Sequence, residues 1–224
     1  MPINYVISGK MDIDIERELL KFTNHIVDYA SLSSVLKSLG YKSVNNKIED
    51  LMKKAILSPL KRGLYVHKSK VHQHAVSLES IANHLLGPSY ISMDYALSYY
   101  NLIPERVYEV TSVTTKRPKT FNTQFGLFSY RKIPAELFPL GLVMLNGNHD
   151  KFLMATVEKA VCDKIFLSKD TDIQSIEEMR AYLEEDLRID LAELTSLNRE
   201  IISSYYAVSK SKKINLFLKL ITRL

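Results

Sequence analysis

With 224 residues, 46% of them apolar, the chain can bury a sizeable core and is too apolar to be disordered; it fits one compact body or a small module followed by a medium one. A single cysteine, Cys162, excludes an intramolecular disulfide and a four-thiolate zinc site. The net charge of +5 is unevenly placed: from Ser31 to Lys70 nine Lys or Arg face only Glu49 and Asp50, whereas from Ala75 to Leu224 the 18 cations are matched by 18 acids. Such a block is an electrostatic footprint suited to a polyanion, against the plainer reading of a lysine-rich solvated surface.

No charged-apolar-small leader opens the sequence, so with one cysteine a reducing cytoplasm is the expected setting. The longest apolar runs, such as "LGLVML" at 140–145, fall well short of the roughly 20 residues that a spanning helix needs, and no membrane partner is expected.

Ile15, Leu19, Phe22 and Ile26 recur at helical spacing and predict a first helix. "SLSSVLKSLG" predicts a short second helix, capped by Ser31 and ended by Gly40. "YKSVNNKIEDLMKKA" predicts a third, with Val44, Ile48, Leu51, Met52 and Ala55 on the apolar side, Ser43 as its cap, and Asn45, Asn46, Lys47, Asp50, Lys53 and Lys54 on the polar side. Then "AIL" and "LYVH" read as short strands joined by "SPLKRG".

Two helices across a tight turn followed by a hairpin form a winged helix-turn-helix pattern, whose second helix enters the DNA major groove. Asn45 and Asn46 suit the N6/N7 edge of adenine, and Lys42 or Lys47 could reach guanine or a phosphate, with Ser43 beside them. Lys53, Lys54, Lys61 and Arg62 suit backbone phosphates, which position without specifying. Winged helices also serve as protein-binding modules, which leaves that alternative open.

A polar link, "HKSKVHQHAVS", places the domain boundary near Gln73, giving a DNA-binding domain over 1–73 and an α+β domain over 74–224. In the latter, "SLESIANHLLG" and "SMDYALSYYNL" read as helices, and "VYEVTSVTT", "FNTQFGLFSYRKI" and "LGLVML" as strands. "VEKAVCDKIFL", "IQSIEEMRAYLEEDL", "DLAELTSLNREIISSYYAVS" and the amphipathic "KKINLFLKLITRL" read as helices around a small antiparallel or mixed sheet. The last of these docks on its own domain or a second subunit, or lies on a membrane surface. Lys116, Arg117 and Lys119 crowd a proline-bearing loop and form a second candidate contact for nucleic acid or an acidic partner.

Residues 87–134, "GPSYISMDYALSYYNLIPERVYEVTSVTTKRPKTFNTQFGLFSYRKIP", followed by "ATVEKAVCDKIFL", carry a more specific signal. With the amino-terminal helices, roughly residues 15–170 resemble the AbiEi family of antitoxins from abortive-infection, type IV toxin-antitoxin systems. The resemblance implies a cytoplasmic, non-enzymatic autorepressor whose winged helix binds inverted repeats in its own promoter. It further implies a carboxy-terminal domain that supplies antitoxicity and helps two copies bind DNA. The implied functional partner is a nucleotidyltransferase-like toxin that is opposed without a stable complex. Lys42, Asn45, Asn46 and Lys47 match the recognition-helix region, and Lys61 and Arg62 the wing; the helices after Asp170 match poorly.

Catalytic signatures are missing from the sequence: there is no glycine-rich phosphate loop and no G-x-S-x-G elbow. His72 and His74 lack further ligands nearby and read as link residues, so neither metal nor cofactor is expected. Cys162, flanked by Val161, Ile165 and Phe166, reads as a buried thiol. "VEK" at 157–159 with Asp150 is too loose for a nuclease centre, and the acidic clusters at Glu177/Glu178 and Glu184–Asp186 read as a solvated helical face.

Overall fold

The computed structural model describes residues 13–22, 25–67, 76–147, 150–169 and 171–224, which fold into helices and two sheets, an α+β architecture. By their internal contacts the residues divide into two units, Met1–Leu85 with Asn146–Lys151, and Leu86–Leu145 with Phe152–Leu224. The boundary expected near Gln73, and with it Lys68, Lys70, His72 and His74, lies outside the described residues.

The first unit runs α1 (residues 13–19), β1 (Ile26–Asp28), α2 (Tyr29–Ser38), α3 (Val44–Lys53), β2 (Leu57–Lys61), β3 (Leu64–His67) and α4 (Leu78–Leu85). Helix α2 is capped by Asp28 rather than Ser31: the carboxylate accepts from the Ser31 backbone N–H at 3.0 Å and from its hydroxyl at 2.8 Å. These hydrogen bonds hold the Asp28 carboxyl below its ordinary range. The helix ends at Leu39, and Gly40 takes a φ of +88°, where a side chain would be strained. Ser43 precedes α3 as its cap residue, but its side chain makes no capping hydrogen bond.

Val44, Ile48 and Leu51, at i, i+4 and i+7 of α3, are buried with Ile15, Leu19, Val27, Leu32 and Leu36 in one apolar cluster. Each aliphatic side chain so removed from water contributes about 1.5–3 kcal/mol, so the orientation of α3 is set by its inner stripe and not by its polar face.

Two local expectations are corrected. The first helix stops at residue 19, and Ile26 lies instead in β1, opposite Val66. His25 before it has a φ of +55°, and the backbone of β1 finds its partner in β3, a strand some forty residues later that helical periodicity cannot reveal. The hairpin is also tighter than expected: Ser58, Pro59, Leu60 and Lys61 belong to β2, leaving Arg62 and Gly63 as the turn. Proline is tolerated because the strand order β1-β3-β2 puts β2 at an edge, and the register shifts between Pro59 and Lys61. Gly63 supplies the positive φ, +76°, that so short a turn requires.

The second unit is built on a six-stranded sheet in the order β6-β7-β5-β4-β9-β8, made of β4 (Ser89–Ile91), β5 (Val110–Thr114), β6 (Lys119–Thr123), β7 (Gly126–Lys132), β8 (Leu142–Asn146) and β9 (Lys151–Ala155). It is mixed: β4 pairs with β5 and β6 with β7 antiparallel, while β5 and β7, and β4 and β9, run parallel. Strands β4 and β9 were not expected; both are short and largely buried, so they lack the alternation that marks a half-exposed strand.

Helix α5 (Met93–Tyr99) follows β4, and α6 (Val157–Leu167) follows β9. The segment expected as one helix over "IQSIEEMRAYLEEDL" is α7 (Ile176–Ala181) continued by a π-helical turn, Tyr182–Asp186. The next is broken into α8 (Leu191–Leu194) and α9 (Arg199–Ser209), because Asn198 starts a new helix by accepting from the Glu200 N–H at 2.9 Å. Helix α10 (Lys212–Arg223) buries Ile214, Leu216, Phe217, Leu220 and Ile221 and packs on α6, α7 and α9, which accounts for its amphipathic pattern without a lipid surface. Among the described residues no helix is long and apolar enough to cross a membrane.

Candidate nucleic-acid interface

The cationic residues singled out in the first unit fall on α3, the loop before it and the β2–β3 hairpin. Lys42, Ser43, Asn45, Asn46, Lys53, Lys54, Lys61 and Arg62 are all exposed, while the opposite side of α3 is inside the core. Because side chains at successive turns of a helix share a face, Asn45 and Asn46 in the opening turn and Lys53 in the last turn lie outward of the same buried stripe.

Exposure does not make these groups equivalent. Asn45 Oδ1 accepts from the Tyr29 hydroxyl at 2.9 Å, so its carboxamide is held from the start of α2. Asp50 sits 3.0 Å from both Lys47 Nζ and Lys54 Nζ, and these partners, Lys47 foremost, lower its pKa. Lys47 also lies over the Tyr41 ring at 5.2 Å, and its side chain is only 12% exposed, so it is packed against its own unit. Lys61 Nζ donates to the Leu85 carbonyl at 2.6 Å. Lys42, Lys53 and Arg62 have neither an ion pair nor a side-chain hydrogen bond among the described residues and keep their full hydrogen-bonding capacity.

In the second unit, Lys116 and Arg117 form the turn before β6, and Lys119 opens that strand with its ammonium 4.7 Å from the Phe121 ring centre. Lys116 Nζ also donates to the Gly87 carbonyl. Sheet pairing adds two residues that the linear pattern did not single out. Lys132 lies opposite Thr114 and Arg131 opposite Val113, at the same end of the sheet as the turn. Between Val110 and Ala135 there are five cations and no acid, and all five are exposed. The signal was legible as an acid-free stretch, but only strand pairing joins its two ends.

A second cluster is buried and was missed. Lys159 and Asp163, one turn apart on α6, are both fully buried with Nζ 3.6 Å from Oδ1. Asp163 accepts from Tyr90 at 2.9 Å, Ser92 at 2.8 Å and Tyr205 at 2.8 Å, and Lys159 donates to the Leu137 carbonyl at 2.8 Å between the rings of Tyr90 and Tyr205. Burial pushes the Asp163 carboxyl up and the Lys159 ammonium down; their mutual attraction opposes both shifts, and the hydroxyl donors of Ser92, Tyr205 and Tyr90 oppose that of Asp163. Every polar atom of the pair is buried and partnered, so it ties β4, α6 and α9 together. Lys159 is thus paired with Asp163, whereas Asp150 accepts from the Ser77 hydroxyl at 2.9 Å through Oδ2 only, its buried Oδ1 having no hydrogen-bond partner among the described residues. Cys162 beside them is fully buried, as expected, and burial pushes its thiol up.

Among the described residues no group of three or more His, Cys, Asp or Glu is placed to hold a metal ion. No family model matches the chain, and no curated protein matches it.

Proposed function

We propose that the first unit is a winged helix-turn-helix module that binds DNA, and that the chain is a cytoplasmic, non-enzymatic antitoxin that represses its own operon. The observation that carries this reading is the placement of Asn45, Asn46 and Lys42 on the outward side of α3 and the loop before it, with Arg62 at a two-residue hairpin turn. Amides in a helix's first turn suit base edges, and cations on the flanking hairpin suit phosphates. The antitoxin role, the inverted-repeat operator bound by two copies and the nucleotidyltransferase-like toxin opposed without a stable complex all rest on the resemblance over roughly residues 15–170. Lys116, Arg117 and Lys119, with Lys132 at the same end of the sheet, supply a second phosphate-binding contact.

A gel shift with the DNA upstream of the chain's own operon tests this. Selective retardation over scrambled DNA of the same length is expected, and equal affinity for both overturns the reading.

One observation favours a second reading, a module that binds the toxin directly. Asp50 offsets two of the expected phosphate contacts, and Lys61 is engaged with Leu85. That reading requires a toxin complex that survives high salt together with no DNA shift.

A further inference from the structure

In the second unit the face of the sheet bearing Thr111 and Ser129 opens into a cleft of about 560 Å³, closed on its other side by α5, the end of α6 and the π-helical turn. Its floor has an ordered polarity. Thr111 and Ser129 are register partners of the parallel β5–β7 pair, and Arg131 lies opposite Val113. Glu109, Thr111 and Val113 alternate onto one face, as do Ser129 and Arg131, so a carboxylate, a hydroxyl pair and a guanidinium follow one another along the strands. Glu109 and Arg131 are thereby separated by four strand residues, about 13 Å of backbone, less what the two side chains reach toward each other.

Neither Glu109 nor Arg131 has an ion pair or side-chain hydrogen bond among the described residues; on the wall Lys164 and Asp94 neutralise each other at 2.6 Å, and Lys169 and Asp186 add one charge of each sign. The Thr111 hydroxyl donates to the Ser92 carbonyl and accepts from the Tyr95 N–H, whereas the Ser129 hydroxyl midway along has no hydrogen-bond partner among the described residues. Two costly backbone irregularities border the same space: Met93 with φ +57°, and the π-helical turn that contributes Tyr182. Strained residues and π turns persist where the surroundings hold them in place, often beside binding sites.

We propose that this cleft binds a short, extended zwitterion of peptide type, its ammonium at Glu109 and its carboxylate at Arg131. A ligand carrying one sign of charge would leave one end of the floor unpaired, at the desolvation cost of an unmatched ion. Three peptide residues span at most about 11 Å, which matches the gap once side-chain reach is subtracted. This inference does not depend on the DNA-binding reading.

Isothermal titration of the full chain with triglycine, N-acetyl-triglycine and triglycine amide tests it. Triglycine should bind with one site, and blocking either end should weaken it about tenfold or more. Glu109→Gln should weaken triglycine and its amide while leaving the N-acetyl form unchanged; Arg131→Gln should weaken triglycine and the N-acetyl form while leaving the amide unchanged. Both residues are at least partly exposed, so unchanged thermal melts are expected and serve as the control. Equal binding of all three peptides, or no heat from triglycine at millimolar concentration, overturns the proposal.

Discussion

The Tyr29 hydroxyl donates to Asn45 Oδ1 at 2.9 Å, joining the first turn of α2 to the first turn of α3. The bond fixes the Asn45 carboxamide and leaves its NH₂ hydrogens directed elsewhere, a pre-ordered donor for a base acceptor in the proposed complex. Tyr29→Phe removes the bond without touching charge. Discrimination between operator and scrambled DNA should fall by about 0.5–1.5 kcal/mol, the net worth of one hydrogen bond, with an unchanged salt slope. Competition gel shifts at two or more salt concentrations separate the two quantities.

The cations of α3 and the hairpin should fall into two classes. Arg62→Ala and Lys53→Ala each remove a free phosphate contact and should flatten the log-log salt dependence of DNA binding by about 0.9. Asp50→Asn should act in the opposite sense, because it releases Lys47 and Lys54 from a shared carboxylate. Fluorescence anisotropy across a salt series reads all three variants; an unchanged slope for Asp50→Asn would show that these lysines face no phosphate.

How far this arrangement was legible in the sequence depends on the range of the interaction that sets each element. Val44, Ile48 and Leu51 announce α3 because a helix satisfies its backbone locally and only its stripe has to be read. Gly40 marked the end of α2 for the same local reason. Strand β1, by contrast, exists because Ile26 meets Val66, and β4 because Ile91 lies between Ser112 and Met154, partners that no local pattern names. The same limit hid the Glu109 to Arg131 floor and the contacts of Asp163, which are drawn from β4, α6 and α9. Exposed charge on α3 could be read directly; which of those charges were already paired with Asp50 could not.

Stability of the first unit should depend on pH through His67. Burial, with the neighbouring His25 ring 4.7 Å away, pulls the His67 pKa from 6.5 down to about 4. The folded chain therefore resists a proton that the unfolded chain accepts. The stability associated with neutral His67 is intact above pH 6.5 and is lost as the pH falls from there to about 4. One proton over that window amounts to about 3 kcal/mol. Urea titrations at pH 7.5, 5.5 and 4.5 should show the loss in the parent and a smaller one in His67→Phe; parallel behaviour of the two proteins would assign the acid sensitivity to other groups.

The buried pair of α6 should dominate the second unit's response to mutation. Asp163→Ala leaves the Lys159 ammonium without its counter-charge and the hydroxyls of Tyr90, Ser92 and Tyr205 without their acceptor. Removing one partner of a buried ion pair costs about 3–5 kcal/mol, which for a chain of this size lowers the melting temperature by roughly 10 °C. Lys159→Met alone should be similarly costly, because an uncompensated carboxylate then remains inside. Combining Lys159→Met with Asp163→Asn removes both charges while keeping a hydrogen-bonding group for the three hydroxyls. The double variant should therefore be less destabilised than the sum of its singles by 1 kcal/mol or more, the sign of direct coupling between neighbours. Calorimetry of the parent, Lys159→Met, Asp163→Asn and the double variant closes the cycle, and strict additivity would mean that Lys159 and Asp163 are held by their separate surroundings and not by each other.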